Sequence, residues 1–307
     1  MESWKRLYLL LLLLGMGLSI VRGDVYAVII SGGRNKLFNH ERYWNDCAFL
    51  YRTLRHDYHI PQQRITLLMA DGDHPADDML KAEATRFASS PTDLDGDGQP
   101  DLYLSCTRQH LDEAFNRLAQ QLTADDHLFV FITDHGEIDA QSRTHLWLWG
   151  NDQLSPQELA ACIGQCRPAS TSILMGQCHA GAFVAPLHGQ GRIVMSVCAA
   201  DEMSWACKDR PYDEFVYHWT CAIARHDEQG RPVASDANGD GRISMQEAFD
   251  YARQHDQSPE HPSLWAWEAS APARWWLGVT TTNGIDDTPA PETTPPAVYD
   301  LQGRRKR

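Results

Sequence analysis

The stretch Leu128-Phe129-Val130-Phe131-Ile132-Thr133-Asp134-His135-Gly136 reads as a buried strand that delivers a histidine. Further along, Ile173-Leu174-Met175-Gly176-Gln177-Cys178-His179-Ala180-Gly181 has the same form and delivers a cysteine. Parallel strands covered on both faces are near-continuously apolar, whereas a strand with one wet face alternates. Open α/β sheets build their sites at the carboxyl ends of such strands, so the two reactive side chains are expected to converge there.

Outward from these runs, strands alternate with helices. Val25 to Ile30 reads as a first core strand, closed by Ser31-Gly32-Gly33, and Arg64 to Met69 as a second. A helix is expected from about Glu41 to His56, with Trp44, Cys47, Ala48, Tyr51 and Leu54 near helical spacing. Another, from about Gln109 to Leu122, presents Leu111, Phe115, Leu118 and Leu122 on one face. Ser155-Pro156-Gln157-Glu158 has the form of a capping box with proline at the first helical position, and Arg192 to Val197 reads as a strand. The alternation argues for an α/β fold with a mainly parallel sheet between helical layers.

At the N-terminus, Lys5-Arg6, an apolar run from Leu7 to Leu18 and Val21-Arg22-Gly23 fit a secretory signal at residues 1–23. The run of about 12 apolar residues is short of the ~20 that span a bilayer, so no stable membrane span is expected after its removal. The product is then exported, to the periplasm, the cell surface or the medium. Residues 24–279 form the folded domain on this reading, and 280–307 a Thr/Pro-rich linker and tail. The final Ala297-Val298-Tyr299-Asp300-Leu301-Gln302-Gly303-Arg304-Arg305 is similar to short endings of exported bacterial proteins.

The formal charge is −14, and losing Glu2, Lys5, Arg6 and Arg22 with the signal takes it to −16. So acidic a chain is a poor nucleic-acid binder, and no nucleic-acid partner is expected. Eight cysteines in an exported chain permit disulfides, whose pairing spacing alone does not fix. Cys162 and Cys166 have no second pair at metal-ligand spacing, which argues against a zinc site.

A thiol is mostly protonated near neutral pH and needs a nearby base to act as a nucleophile. His135 suits that role, taking the proton from Cys178 and later returning one to a leaving amine. The Gly136 N–H, unobstructed by a side chain, can face an oxyanion together with the Cys178 N–H. A lone buried cysteine or turn histidine is ordinary core material. Two of them 43 positions apart, each after an apolar strand and each followed closely by glycine, are not.

These segments resemble the histidine and cysteine strands of the legumain family of cysteine peptidases, in the caspase-like group that includes gingipains and clostripain. The resemblance covers roughly residues 24 to 278. It implies a caspase-like αβα sandwich and cleavage of peptide or protein substrates through a thioester. It also implies a pocket for the side chain before the cut (P1), with Arg42, Asp213 and Ser204 at the family's pocket positions. An arginine paired with an acid suits asparagine or aspartate. The chain departs from the pattern in three places: Gly176 replaces a glutamate two residues before the cysteine, and His179 replaces an acid or small residue. The asparagine that steers the histidine in the family falls at His40, with Asn39 one residue off register, so no third catalytic residue is assigned.

Two acidic loops remain. Asp236 to Glu247 fills an EF-hand loop, with Asp236, Asn238, Asp240 and Ser244 as oxygen donors at positions 1, 3, 5 and 9. The Arg242 carbonyl stands at position 7, Gly241 at 6 and bidentate Glu247 at 12. Asp93-Leu94-Asp95-Gly96-Asp97-Gly98-Gln99-Pro100-Asp101 places Asp93, Asp95, Asp97 and Asp101 at positions 1, 3, 5 and 9, with Leu104 at 12. Four aspartates so close repel one another without a cation, so structural Ca2+ is expected in both loops, and no organic cofactor. The expectation is therefore an exported, calcium-binding cysteine endopeptidase. The alternatives are an Arg/Lys-specific clostripain-like peptidase, a transpeptidase, and an inert calcium-binding scaffold.

Overall fold

The computed structural model describes residues 23–81, 86–101 and 103–278. Apart from Gly23, the expected signal peptide and the tail lie outside the described residues. Seven strands form the central sheet: β1 (Val25–Ser31), β2 (Ile65–Met69), β3 (Tyr103–Leu104), β4 (His127–Thr133), β5 (Ser170–Met175), β6 (Arg192–Ser196) and β7 (Ser263–Ala266). Their order is β7-β6-β5-β4-β1-β2-β3, and every pairing is parallel except the antiparallel β6–β7 edge. Nearly every residue of β1, β4 and β5 is buried, which is why these strands read as unbroken apolar runs.

Among the described residues, the five longer helices beside the sheet are α1 (Glu41–Arg52), α2 (Arg108–Gln121), α3 (Pro156–Gly164), α4 (Glu214–Ala224) and α5 (Met245–His255). They form two groups, α1 with α4 and α5, and α2 with α3. This is the expected α/β architecture, consistent with a caspase-like sandwich. Trp219 of α4 stacks on Phe129 of β4, ring centroids 5.5 Å apart and nearly parallel. Ser155 and Glu158 form the capping box expected at the start of α3.

The helix expected to run to His56 is α-helical only to Arg52 and continues as a π turn over Thr53–Asp57. The Thr53 hydroxyl donates to the Phe49 carbonyl, 3.0 Å away and four residues back, and so competes with the regular ladder.

Register sets the site. Met175 of β5 lies opposite Ile132 of β4, and the Gly176 N–H donates to the Ile132 carbonyl at 2.6 Å. The two strands therefore end together, with His135 three residues past Ile132 and Cys178 three past Met175. A three-stranded antiparallel hairpin, Gly136–Ile138, Thr144–Leu148 and Asp152–Leu154, grows from the residue after the histidine.

Candidate active site

The turn that presents His135 is built on Asp134, a non-glycine residue at φ +107°. Such a backbone persists only where its surroundings over-determine it, and here they do. The buried Asp134 carboxylate accepts from the Ser31 hydroxyl at 3.2 Å, from the Gly33 N–H and from the His135 N–H at 2.7 Å. Burial pushes this carboxyl up, while His135 and the donated hydrogen bonds oppose the shift.

The His135 ring sits within three aromatic neighbours, Phe38, His40 and Tyr43, all edge-on at centroid distances of 5.8, 5.7 and 5.3 Å. Its Nε2 lies 2.9 Å from the Phe38 carbonyl oxygen. A carbonyl only accepts, so Nε2 carries the hydrogen in the neutral ring and Nδ1 is the free base. The Tyr43 hydroxyl lies 3.5 and 3.4 Å from Nδ1 and Nε2. His40 is held neutral: burial, then Arg42 and His135, lower it to about 4. Asn39, the neighbour of the expected steering position, turns away and donates to the Asp78 carbonyl at 3.0 Å.

Cys178 is 7% exposed, and its sulfur accepts from the Ser204 N–H at 3.3 Å with the Ser204 hydroxyl 3.5 Å away. Gly136 joins the two loops. A Cβ there would stand 3.0 Å from the Cys178 carbonyl carbon and closer still to its oxygen, so only glycine permits this approach. His179 takes a left-handed backbone, φ +60°, and its Nδ1 pairs with the Ala200 carbonyl at 3.1 Å.

Beside the histidine, Arg42 donates from Nε to Asp213 at 2.7 Å and from Nη2 to the Tyr43 hydroxyl at 2.6 Å. The other Asp213 oxygen accepts from Thr133 at 3.3 Å, and the Asp213 N–H donates to the Asp46 carboxylate at 3.3 Å. Burial raises both Asp213 and Asp46; Arg42 pulls against both shifts, and Asp213 adds to that of Asp46. Burial alone would lower Arg42, but Asp213 raises it. Arg42, Asp213, Ser204, His135 and Cys178 thus share one connected region at the carboxyl ends of β4 and β5.

A family model described as the peptidase C13 family matches residues 25–255. The chain belongs to the peptidase C13 family. No functionally curated protein matches it. Membership makes this a legumain-family cysteine peptidase fold with peptides as substrates, and it fits the paired strands whose ends carry His135 and Cys178. Sequence reasoning missed Tyr43, Thr133 and the Phe38 carbonyl. Tyr43 and Thr133 adjoin residues already singled out, but a backbone carbonyl leaves no trace in a sequence. Among the described residues, no helix is long and apolar enough to cross a membrane.

The acidic loops lie apart from this site. In the first, the carboxylates of Asp93, Asp95 and Asp101 converge within 4.8 Å. Asp97 is turned to the Gln99 N–H instead. Asp101 is anchored by the Tyr51 hydroxyl at 2.6 Å, and burial, then Asp101 and Asp97, raises Asp95. In the second loop, Asp236 accepts from the N–H groups of Gly239 and Gly241 at 2.7 and 2.9 Å. Glu247 closes the loop through Ser244 and the N–H groups of Ala237 and Asn238. Gly241 takes φ +83° at the tight turn. All eight cysteines are free thiols.

Proposed function

We propose that the protein is an exported, calcium-stabilised cysteine endopeptidase, with Cys178 as nucleophile, His135 as general base and acid, and Gly136 as an oxyanion donor. The observation that carries the reading is the meeting of the two strand ends through Gly136, with the His135 tautomer set by the Phe38 carbonyl. Nδ1 takes the Cys178 proton, and the thiolate attacks the scissile carbonyl carbon. The oxyanion is held by the Gly136 and Cys178 N–H groups. Collapse to a thioester expels the amine, which takes the proton from His135, and water then releases the acid.

Arg42 carries P1 selection in this reading. Asp213 is buried and its charge is already paired with Arg42 at 2.7 Å, which disfavours it as the partner of a basic side chain. The remaining guanidinium N–H groups favour a P1 oxygen, which supports asparagine or aspartate over arginine or lysine.

Calcium belongs at both loops. The donor set is oxygen only, which suits a hard cation: Asp236, Asn238, Asp240, the Arg242 carbonyl, Ser244 and Glu247 in one, and Asp93, Asp95 and Asp101 in the other. At extracellular affinities of roughly 10⁻⁴ to 10⁻³ M such sites act as staples. Lys5-Arg6, the apolar run and the small residues before Asp24 support export.

Residues 24–307 in calcium should cleave fluorogenic peptides after Asn or Asp, and Cys178→Ala should abolish turnover while leaving calcium binding intact. Cleavage after Arg or Lys would replace the pocket assignment, and ligated product with an added amine would identify a transpeptidase. Residual activity in Cys178→Ala would overturn the nucleophile, and a wild type inert to peptides and to thiol electrophiles would leave a calcium-bound scaffold.

A further inference from the structure

Tyr43 is 2% exposed yet belongs to neither of the two apolar clusters of the fold. Its surroundings are polar and functional. Its ring faces His135 and His40, and the Arg42 guanidinium lies 4.3 Å over its centroid. Its hydroxyl accepts from Arg42 at 2.6 Å and lies within 3.5 Å of both His135 nitrogens. We propose that Tyr43 is a positioning residue that couples the P1-reading arginine, Arg42, to the general base, His135. This rests on the roles assigned to His135, Cys178 and Arg42 above.

Each atom of the phenol has a defined duty. With Arg42 donating to its oxygen, the O–H is left to donate, and in the resting site it holds the Nδ1 edge of His135 until the Cys178 thiol displaces it there, because Nε2 is committed to the Phe38 carbonyl. Burial keeps the phenol protonated, so this donor persists across the working pH range. Since Arg42 is fixed to Asp213 on its other side, the chain Asp213–Arg42–Tyr43–His135 runs unbroken from pocket wall to base. A P1 oxygen bound by Arg42 therefore acts on the same guanidinium that fixes the hydroxyl, and the imidazole is oriented as the pocket fills.

The test is Tyr43→Phe in otherwise wild-type protein and in an Arg42→Ala background, read as kcat and KM on the peptide with the preferred P1 residue. The hydroxyl's loss should lower kcat by about tenfold with KM within about twofold, the size of one positioning hydrogen bond expressed in rate. In the Arg42→Ala background the same change should have almost no further effect, because the chain is already cut. A purely structural tyrosine would show similar losses in both backgrounds, and that result would overturn the proposal. So would an unchanged kcat, or a change confined to KM. The alkylation rate of Cys178 by iodoacetamide separates the two layers of argument. Wild type that is labelled and active while Tyr43→Phe matches it refutes the coupling alone. Wild type that neither cleaves nor reacts refutes the catalytic assignment, and the coupling falls with it.

Discussion

Gly136→Ala is the smallest change that tests the junction on which the catalytic assignment rests. The added Cβ would lie 3.0 Å from the Cys178 carbonyl carbon and nearer its oxygen, inside any contact that real Cβ atoms make. The opposing atoms are backbone, so no side chain can swing aside. The Cys178 carbonyl, the hairpin that starts at Gly136, or both must retreat by about 1 Å. A misplacement of that size costs about 10²-fold in rate, or about 2.7 kcal/mol of transition-state stabilisation. Overpacking at a site closed on both sides adds about 1–3 kcal/mol of lost stability. The assay is kcat/KM on a fluorogenic peptide, with circular dichroism and the thermal midpoint to establish that the variant folds. A folded variant is expected to lose about two orders of magnitude in kcat/KM, chiefly in kcat, because the oxyanion geometry is disturbed more than the P1 pocket. A folded Gly136→Ala protein within threefold of wild type would refute the claim that this glycine sets the approach of the two strands' reactive ends.

Two further outcomes concern the scaffold. Glu247→Gln should lower the thermal midpoint in 5 mM calcium by a few degrees, since a site of roughly 10⁻⁴ to 10⁻³ M affinity contributes about 1–2 kcal/mol there. In chelator the variant should lose markedly less, because the glutamine oxygen still completes the capping box with Ser244 and only the contacts to the Ala237 and Asn238 N–H groups are given up. An equal loss in both conditions would count against this loop as a metal site. Glu260→Gln tests a buried acid that pins the 203–206 segment by accepting from the Trp205 N–H at 3.0 Å. Burial, then Asp256, raises Glu260 from an ordinary 4.5 to about 9. A carboxyl raised on folding contributes stability that is fully present below about pH 4.5 and is lost as pH rises toward 9. Glutamine imitates the protonated form, so the variant's midpoint should gain on wild type steadily from pH 5 to 9; a difference that stays flat would show that Glu260 is not protonated in the fold.

The central strands were legible because burial on both faces leaves no room for polar alternation, and β1, β4 and β5 are such strands. The placement of His135 and Cys178 at neighbouring strand ends was legible for the same reason, since each follows closely on an apolar run. What escaped notice depends on tertiary contact. The α1 boundary turned on one threonine hydroxyl bonding back to Phe49, and local periodicity does not register that bond. The partner of His135 is a main-chain carbonyl, which every residue has, and the loop from Gly33 to Asn39 places it. Asn39 could be judged off register from sequence, but its attachment to Asp78 could not. In the Asp-rich loop, spacing named four aspartates and the backbone brings three together, because Asp97 is spent on its own turn.

Gly176 shows how packing and specificity are joined. The resemblance described above implies a glutamate at this position, where this chain has glycine. A Cβ at Gly176 would lie 2.8 Å from Val216 Cγ2 on α4 and 2.9 Å from the Ile132 carbonyl, so α4 has closed onto the strand where that side chain would begin. The same helix carries Asp213 at its N-cap, and Asp213 reaches Arg42 and Thr133. The close seating of α4 that Gly176 permits is therefore also the seating that brings Asp213 to Arg42. In this chain the guanidinium has Asp213 as its direct carboxylate partner, at 2.7 Å. On the pocket assignment proposed above, its remaining N–H groups are left for a P1 oxygen, with the guanidinium held on its far side by Tyr43.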